Sequence, residues 1–128
     1  MVRPVFPVRC LIVDDNAGFR VEMRALLEEQ GISVIGDAAS AAEAVTRIAE
    51  LRPDVVLVDI DLGEESGIAL TRTLGDFVNG AVPDLILIST HDEREYADLI
   101  EASPAIGFLA KTDVSAPRIR QMLGAVGD

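Results

Sequence analysis

Apolar positions along this chain follow two periods in turn. Short continuous runs alternate with longer segments whose apolar residues recur every three or four positions. Arg9 to Val13 (RCLIV) is the first run and predicts a strand. Phe19, Met23, Leu26 and Leu27 then stand at i, i+4, i+7 and i+8, the stripe of an amphipathic helix that Gly31 closes. Ile32 to Ile35 predicts a second strand. Ser40 and Glu43 have the S-x-x-E spacing of a capping box, with Ala44, Val45, Ile48 and Leu51 forming the helix stripe behind it. Pro53 stops that helix, and Val55 to Asp59 (VVLVD) is the third strand.

The alternation continues to the end of the chain. Ser66 caps a third helix carrying Leu70, Leu74 and Phe77 and closing near Asn79-Gly80. Leu85 to Ile88 is a fourth strand, and Asp92 to Ala102 a helix with few apolar residues, mainly Tyr96, Leu99 and Ile100. Ala105 to Leu109 is a fifth strand. Ser115 or Asp113 caps a last helix with Pro117 in its first turn and Ile119, Met122, Leu123 and Val126 on one face. Strands that are apolar without alternation are buried on both sides. The pattern therefore predicts an α/β fold: five parallel strands with five helices on two faces, joined by right-handed crossovers.

Composition narrows the class. At 128 residues, 49% apolar, with no Trp, the chain reads as one domain with an aliphatic core. Its net charge of −11 repels a phosphate backbone, so direct nucleic-acid binding by this segment is not expected. Cys10 is alone and reads as a small buried hydrophobe in a reducing compartment. No apolar run is long enough to span a bilayer, and MVRPVFPVRC has no continuous apolar core of a signal peptide. The expectation is a cytoplasmic protein.

In an open parallel sheet, ligands bind outside the carboxyl ends of the strands. At those ends stand Asp14-Asp15, Asp59, Ser89-Thr90 and, after the fifth strand, Lys111. Two like charges about 4 Å apart repel by roughly 4 kcal/mol at an effective dielectric of about 20. Three carboxylates would raise one another's pKa unless a cation intervened. Mg²⁺ suits a site with one or two direct carboxylates, waters and a phosphate. Lys111 and Ser89 then serve an anion, as point charge and hydrogen-bond donor. The residues imply Mg²⁺-dependent phosphoryl chemistry with a carboxylate available as nucleophile.

These motifs carry a resemblance. LIVDDN (Leu11 to Asn16), LVDIDLG (Leu57 to Gly63), LILIST (Leu85 to Thr90) and GFLAK (Gly107 to Lys111) together resemble the receiver domain of two-component response regulators, from about Val8 to Val126. The resemblance implies a flavodoxin-like sheet of order 2-1-3-4-5 and a single receiver domain over residues 1–128, with the output domain absent from this chain. It implies that Asp59 accepts a phosphoryl group from a sensor histidine kinase. It also implies that Asp15 ligates Mg²⁺ directly, Asp14 through water and Asp61 through its backbone carbonyl. Lys111 pairs with the phosphoryl group, Ser89 swings toward its oxygens, and Phe108 is the aromatic whose rotamer follows. The family's surface of helix four, strand five and helix five implies a homodimer or output contact.

Gly63 and Thr112 stand where many members have Pro, as in receivers attached to LuxR-type (NarL-like) helix-turn-helix outputs, which implies transcription regulation where such a domain is attached. Asp61 and His91 occupy positions that tune phosphoryl lifetime, and Thr90 one where a small residue is frequent. Such a domain accepts a group and does not turn over substrate as an enzyme does. Two other readings compete. Asp59-Ile60-Asp61 resembles the D-x-D motif of haloacid-dehalogenase-type phosphatases and phosphotransferases, although that family is longer and does not explain Asp14-Asp15. A degenerate receiver that only binds a partner is disfavoured by the intact set of site residues. Glu64 and Glu65 read as a solvated helix start.

Overall fold

The computed structural model describes residues 7–75, 83–91 and 93–126. Five parallel strands form its sheet: Arg9–Val13 (β1), Ser33–Ala38 (β2), Val55–Asp59 (β3), Asp84–Ser89 (β4) and Gly107–Ala110 (β5). The helices between and after them are Ala17–Glu29 (α1), Ala41–Leu51 (α2), Gly67–Gly75 (α3), Ala97–Glu101 (α4) and Ala116–Val126 (α5). The spatial order β2-β1-β3-β4-β5 is the expected 2-1-3-4-5. The chain passes from β1 outward to β2, then back across to β3. The strand order thus reverses beside β1, and the crevice between β1 and β3 opens at their carboxyl ends.

Both faces of the sheet are covered, which accounts for the missing alternation. Cys10, Ile12, Leu57, Ile86 and Ile88 point to one face, under Met23 and Leu27 of α1 and Ile119 of α5. Leu11, Val13, Val56, Val58 and Leu87 point to the other, under Ala44 of α2, Leu70 and Leu74 of α3 and Ile100 of α4. The apolar residues of the central strands have helices to bury against whichever way they face.

The caps fall where the spacing predicts. Ser40 Oγ accepts from Glu43 N at 3.2 Å, and Glu43 Oε1 reaches back to Ala39 N at 2.7 Å. Ser66 Oγ accepts from Ala69 N and Ser115 Oγ from Arg118 N, so Ser115 and not Asp113 starts α5.

Element bounds differ where local pattern competes with pairing. β2 starts one residue late and runs on through Gly36 and Asp37, because β1 pairs with it as far as Val13 opposite Ala38. β4 is longer than the apolar run by one residue at each end, and β5 starts at Gly107, opposite Ile86. The largest correction is the fourth helix. In place of one helix from Asp92 to Ala102 there is a 3₁₀ turn at Glu93–Glu95 and a five-residue α4. Of its three apolar residues Ile100 is buried while Leu99 is 47% exposed, too little apolar contact to hold a long helix down. Leu26, placed on the α1 stripe, is also exposed. Phe77, Asn79, Gly80 and Asp92 lie outside the described residues. Among the described residues no helix is long and apolar enough to cross a membrane.

One fold contact spans the chain. Arg52 ends α2 in the left-handed region at φ 50°, a conformation that strains any residue but glycine. Arg9, at the start of β1, donates Nη1 to the Arg52 carbonyl and Nη2 to that of Leu51, each at 2.6 Å. A guanidinium at a helix C-terminus offsets both the unpaired carbonyls and the dipole. Arg9→Met keeps an apolar stem and loses the charge. It is expected to lower stability by about 1 kcal/mol in urea titration, with a loss that shrinks at high salt.

Candidate functional site

The site is assembled where β1, β3, β4 and β5 end. β1 runs out into Asp14, whose backbone N still pairs with Ala38 O at 3.0 Å, which holds the carboxylate at the sheet edge. Asp14 does not cap α1. Asn16 does, its Oδ1 accepting from Phe19 N at 3.0 Å, while Asp14 Oδ1 takes Asn16 N at 2.8 Å. Arg20 clamps the same turn, with Nη1 on the Asp14 carbonyl at 2.6 Å and Nε on Asp37 Oδ2 at 3.2 Å.

Asp14, Asp15 and Asp59 each present an oxygen within 4.8 Å of the others. Asp14 and Asp59 are buried and Asp15 is exposed. Lys111 Nζ lies 2.7 Å from Asp14 Oδ2 and 3.1 Å from Asp59 Oδ2, so one ammonium serves two carboxylates. Asp59 Oδ1 accepts from Asp61 N at 3.1 Å. Burial pushes the Asp59 carboxyl up to about 6, and the Asp14 charge adds to the rise. The Asp61 N–H and Lys111 oppose it without cancelling it. Burial also pulls Lys111 down, but its bonds and charges to Asp14 and Asp59 outweigh that and raise it, so the ammonium persists.

A divalent cation fits this donor set. Asp14 Oδ2 is shielded from solvent, and the Lys111 ammonium that stands 2.7 Å from it is shared with Asp59. Buried carboxylates that share one cation are left short of compensating charge. One ammonium does not neutralise three carboxylates, and the donors are all hard oxygens.

The remaining predicted residues are placed as follows. Ser89 is buried at the end of β4 opposite Ala110, and its Oγ accepts from His91 N at 2.9 Å. Thr90 is exposed. Phe108 is half-buried on β5, against the cluster on the α2–α4 face. The Asp61 side chain is exposed, and His91 stands between it and Glu95, with Nε2 and Nδ1 each 3.6 Å from a carboxylate oxygen. Asp61–Leu62 pairs antiparallel with Glu65–Ser66 in a small ribbon that the hydrophobic pattern does not foretell.

Some residues at the site have roles that their sequence positions do not announce. Glu65 is not only a solvated helix start: its Oε1 accepts from Ala41 N at 3.0 Å and so ties the ribbon to the N-terminus of α2. Gly63 has φ 63°, which proline with its fixed φ near about −65° cannot adopt. A Cβ on Gly67 would lie 1.9 Å from the Asp59 carbonyl oxygen. Gly67 stands directly after a cap residue, a weak signal available in the sequence. Phe19 carries Lys111 Nζ over its ring, 4.5 Å from the centroid, and helical periodicity alone marks it only as core.

Known proteins align with this arrangement. The family model for the response regulator receiver domain matches residues 10–123. A protein-glutamate methylesterase/protein-glutamine glutaminase of Alkalilimnicola ehrlichii is 39% identical over 107 residues, 81% of this chain and 27% of that protein. The transcriptional regulatory protein LiaR of Bacillus subtilis is 33% identical over 85% of this chain and 51% of its own length. The chain thus spans about a quarter to a half of these curated relatives. A solved two-component response regulator of the LuxR family, from an Aurantimonas species, superposes with a TM-score of 0.79 at 26% identity, covering 94% of this chain and 85% of that one. The D-x-D motif starts at the last residue of β3, the third strand in chain order, and a second acidic pair directly follows β1, which fits a receiver and leaves no basis for the dehalogenase-type reading.

Proposed function

The chain belongs to the response regulator receiver domain family, and we propose that it takes its phosphoryl group on Asp59 from the phosphohistidine of a sensor histidine kinase. The observation that carries this reading is the convergence of Asp14, Asp15 and Asp59 within 4.8 Å, with Lys111 bonded to two of them.

The carboxylate of Asp59 attacks phosphorus, the P–N bond to the donor imidazole breaks, and an acyl phosphate forms as the imidazole recovers its proton. A carboxyl near 6 is largely ionised at neutral pH and therefore nucleophilic. The Asp61 N–H holds Oδ1 and Lys111 holds Oδ2, which fixes the carboxylate plane for attack. Mg²⁺ held by Asp14, Asp15, Asp59 and the Asp61 carbonyl supplies charge neutralisation to the phosphoryl oxygens when bound. Lys111 then transfers its pairing to the phosphoryl oxygens, and the Ser89 hydroxyl donates to them.

Phosphorylation adds charge and acceptor oxygens at a buried strand end. Ser89 moves toward them, its loop follows, and Phe108 changes rotamer beneath the surface of α4, β5 and α5. The short α4 with its exposed Leu99 supports a segment held loosely enough to shift. That surface is where a second copy or an output domain would read the switch. Transcription regulation through an attached DNA-binding domain, and a cytoplasmic location, complete the reading.

Incubation with acetyl phosphate and Mg²⁺ tests it. The expected result is a mass gain of roughly 80 Da, one phosphoryl group. Chelation abolishes the gain, and borohydride reduction followed by peptide mapping marks Asp59. A label on any other residue, or one indifferent to chelation, overturns the proposal.

A further inference from the structure

Lys111 reaches the site from the 3₁₀ turn after β5 and has three neighbours there: Asp14, Asp59 and the face of Phe19. Its side chain is 13% exposed, so water does little to hold it in place. Both carboxylates are also the groups a divalent ion would claim, and Asp59 is the group to be phosphorylated. The ring is the partner of the lysine with no stake in either event.

We propose that Phe19 is a positioning residue for phosphoryl acceptance, its ring face keeping the Lys111 ammonium aimed at Asp59 while the carboxylates around it change partners. This rests on the assignment of Asp59 as phosphoacceptor. The sequence builds the ring into the site through a cap. Asn16 follows directly on Asp14-Asp15, and its side chain takes the backbone N–H of Phe19. The cap therefore locks the rotation of α1 at the turn that carries the ring, a few residues from the acids it serves. Phe19 also packs against the core under α1 and α5, which gives the ring a rigid seat. A face-on aromatic stabilises a cation most when both are partly desolvated, as they are here.

Phe19→Leu keeps an apolar side chain of similar size and removes the π face. At limiting acetyl phosphate it is expected to slow phosphoryl uptake about five- to tenfold, the size of a partly desolvated cation–π contact. Its melting temperature and its calorimetric Mg²⁺ affinity are expected to stay close to those of the parent chain. Phe19→Tyr restores most of the rate. In a Lys111→Gln background the Phe19→Leu effect disappears, because the ring has no cation left to hold. The Lys111 ε-methylene protons, one bond from the ammonium held over the ring, are expected to show an upfield ring-current shift by NMR that Phe19→Leu removes.

A Phe19→Leu rate within about twofold of the parent, or an equal loss with and without Lys111, overturns the proposal. So does an unshifted ε-methylene signal in the parent chain. If the parent chain takes up no phosphoryl group, the Asp59 assignment fails instead, and the ring-current shift still decides whether Phe19 holds the lysine.

Discussion

An Asp59→Asn variant takes up no phosphoryl group, yet in metal-free buffer at neutral pH it is expected to melt above the parent chain. The loss of uptake follows from the chemistry, since an amide is no nucleophile toward phosphorus at neutral pH. The gain follows from burial. Asp59 is 4% exposed and has Asp14 beside it, so its pKa rises from 3.8 to about 6. A carboxyl whose folded value lies above its unfolded one holds its proton longer in the folded state. Its contribution is therefore most favourable below 3.8 and declines as pH climbs to about 6, above which the penalty is constant.

The full shift corresponds to about 3 kcal/mol. That figure is already net of the attraction to Lys111, so the expected gain is about 3 kcal/mol, or roughly 9–15 °C for a domain of this size. The gap between variant and parent opens across that same acid window. Calorimetry in chelator across pH 4 to 8 measures it. A variant that melts below the parent at neutral pH would show that Lys111 more than compensates for burial. Adding Mg²⁺ narrows the gap, since a ligand of the folded state stabilises the parent chain through the carboxylate that the variant lacks.

Gly67→Ala is expected to destabilise the fold by about 3 kcal/mol or more, a severe effect for one methyl group. The new Cβ would lie 1.9 Å from the Asp59 carbonyl oxygen, 2.7 Å from its carbon and 3.0 Å from Ile60 Cα. All three are backbone atoms where β3 ends, held against β4 by the pairing of Asp59 with Ile88 and by the Ile60 N–H on Ile88 O, and no side-chain rotation relieves the clash. Gly67 N also donates to Ile60 O at 2.8 Å, so α3 starts in contact with the end of β3. Either α3 retreats or the Asp59 backbone moves, and either shift disturbs the carboxylate. Urea denaturation reads the loss, and phosphoryl uptake should fall with it. A change below about 0.5 kcal/mol would mean that the approach relaxes without strain.

Much of this molecule was legible before any coordinates. Continuous apolar runs spaced by amphipathic segments identify buried parallel strands, because only such strands need no polar face. Asp14, Asp15, Asp59, Ser89 and Lys111 stand out because each ends or follows such a run. Caps at Ser40, Ser66 and Ser115 were readable because capping is a contact between residues three apart. The ends of β2 and β5 are set by the strands they pair with, and α4 is short because little of it finds apolar contact; neither is a property of the local sequence.

The sequence by itself determined which side chains come to the sheet's carboxyl edge, since hydrophobic period and the alternation of strand with helix depend on residues close together along the chain. Only the tertiary structure decided how those side chains share one another. It shielded Asp14 Oδ2 from solvent, divided Lys111 between two carboxylates, set the ammonium over Phe19, and brought Gly67 against the Asp59 carbonyl. Each depends on the angles and separations at which helices settle on a sheet, and those are set by the packing of both faces at once.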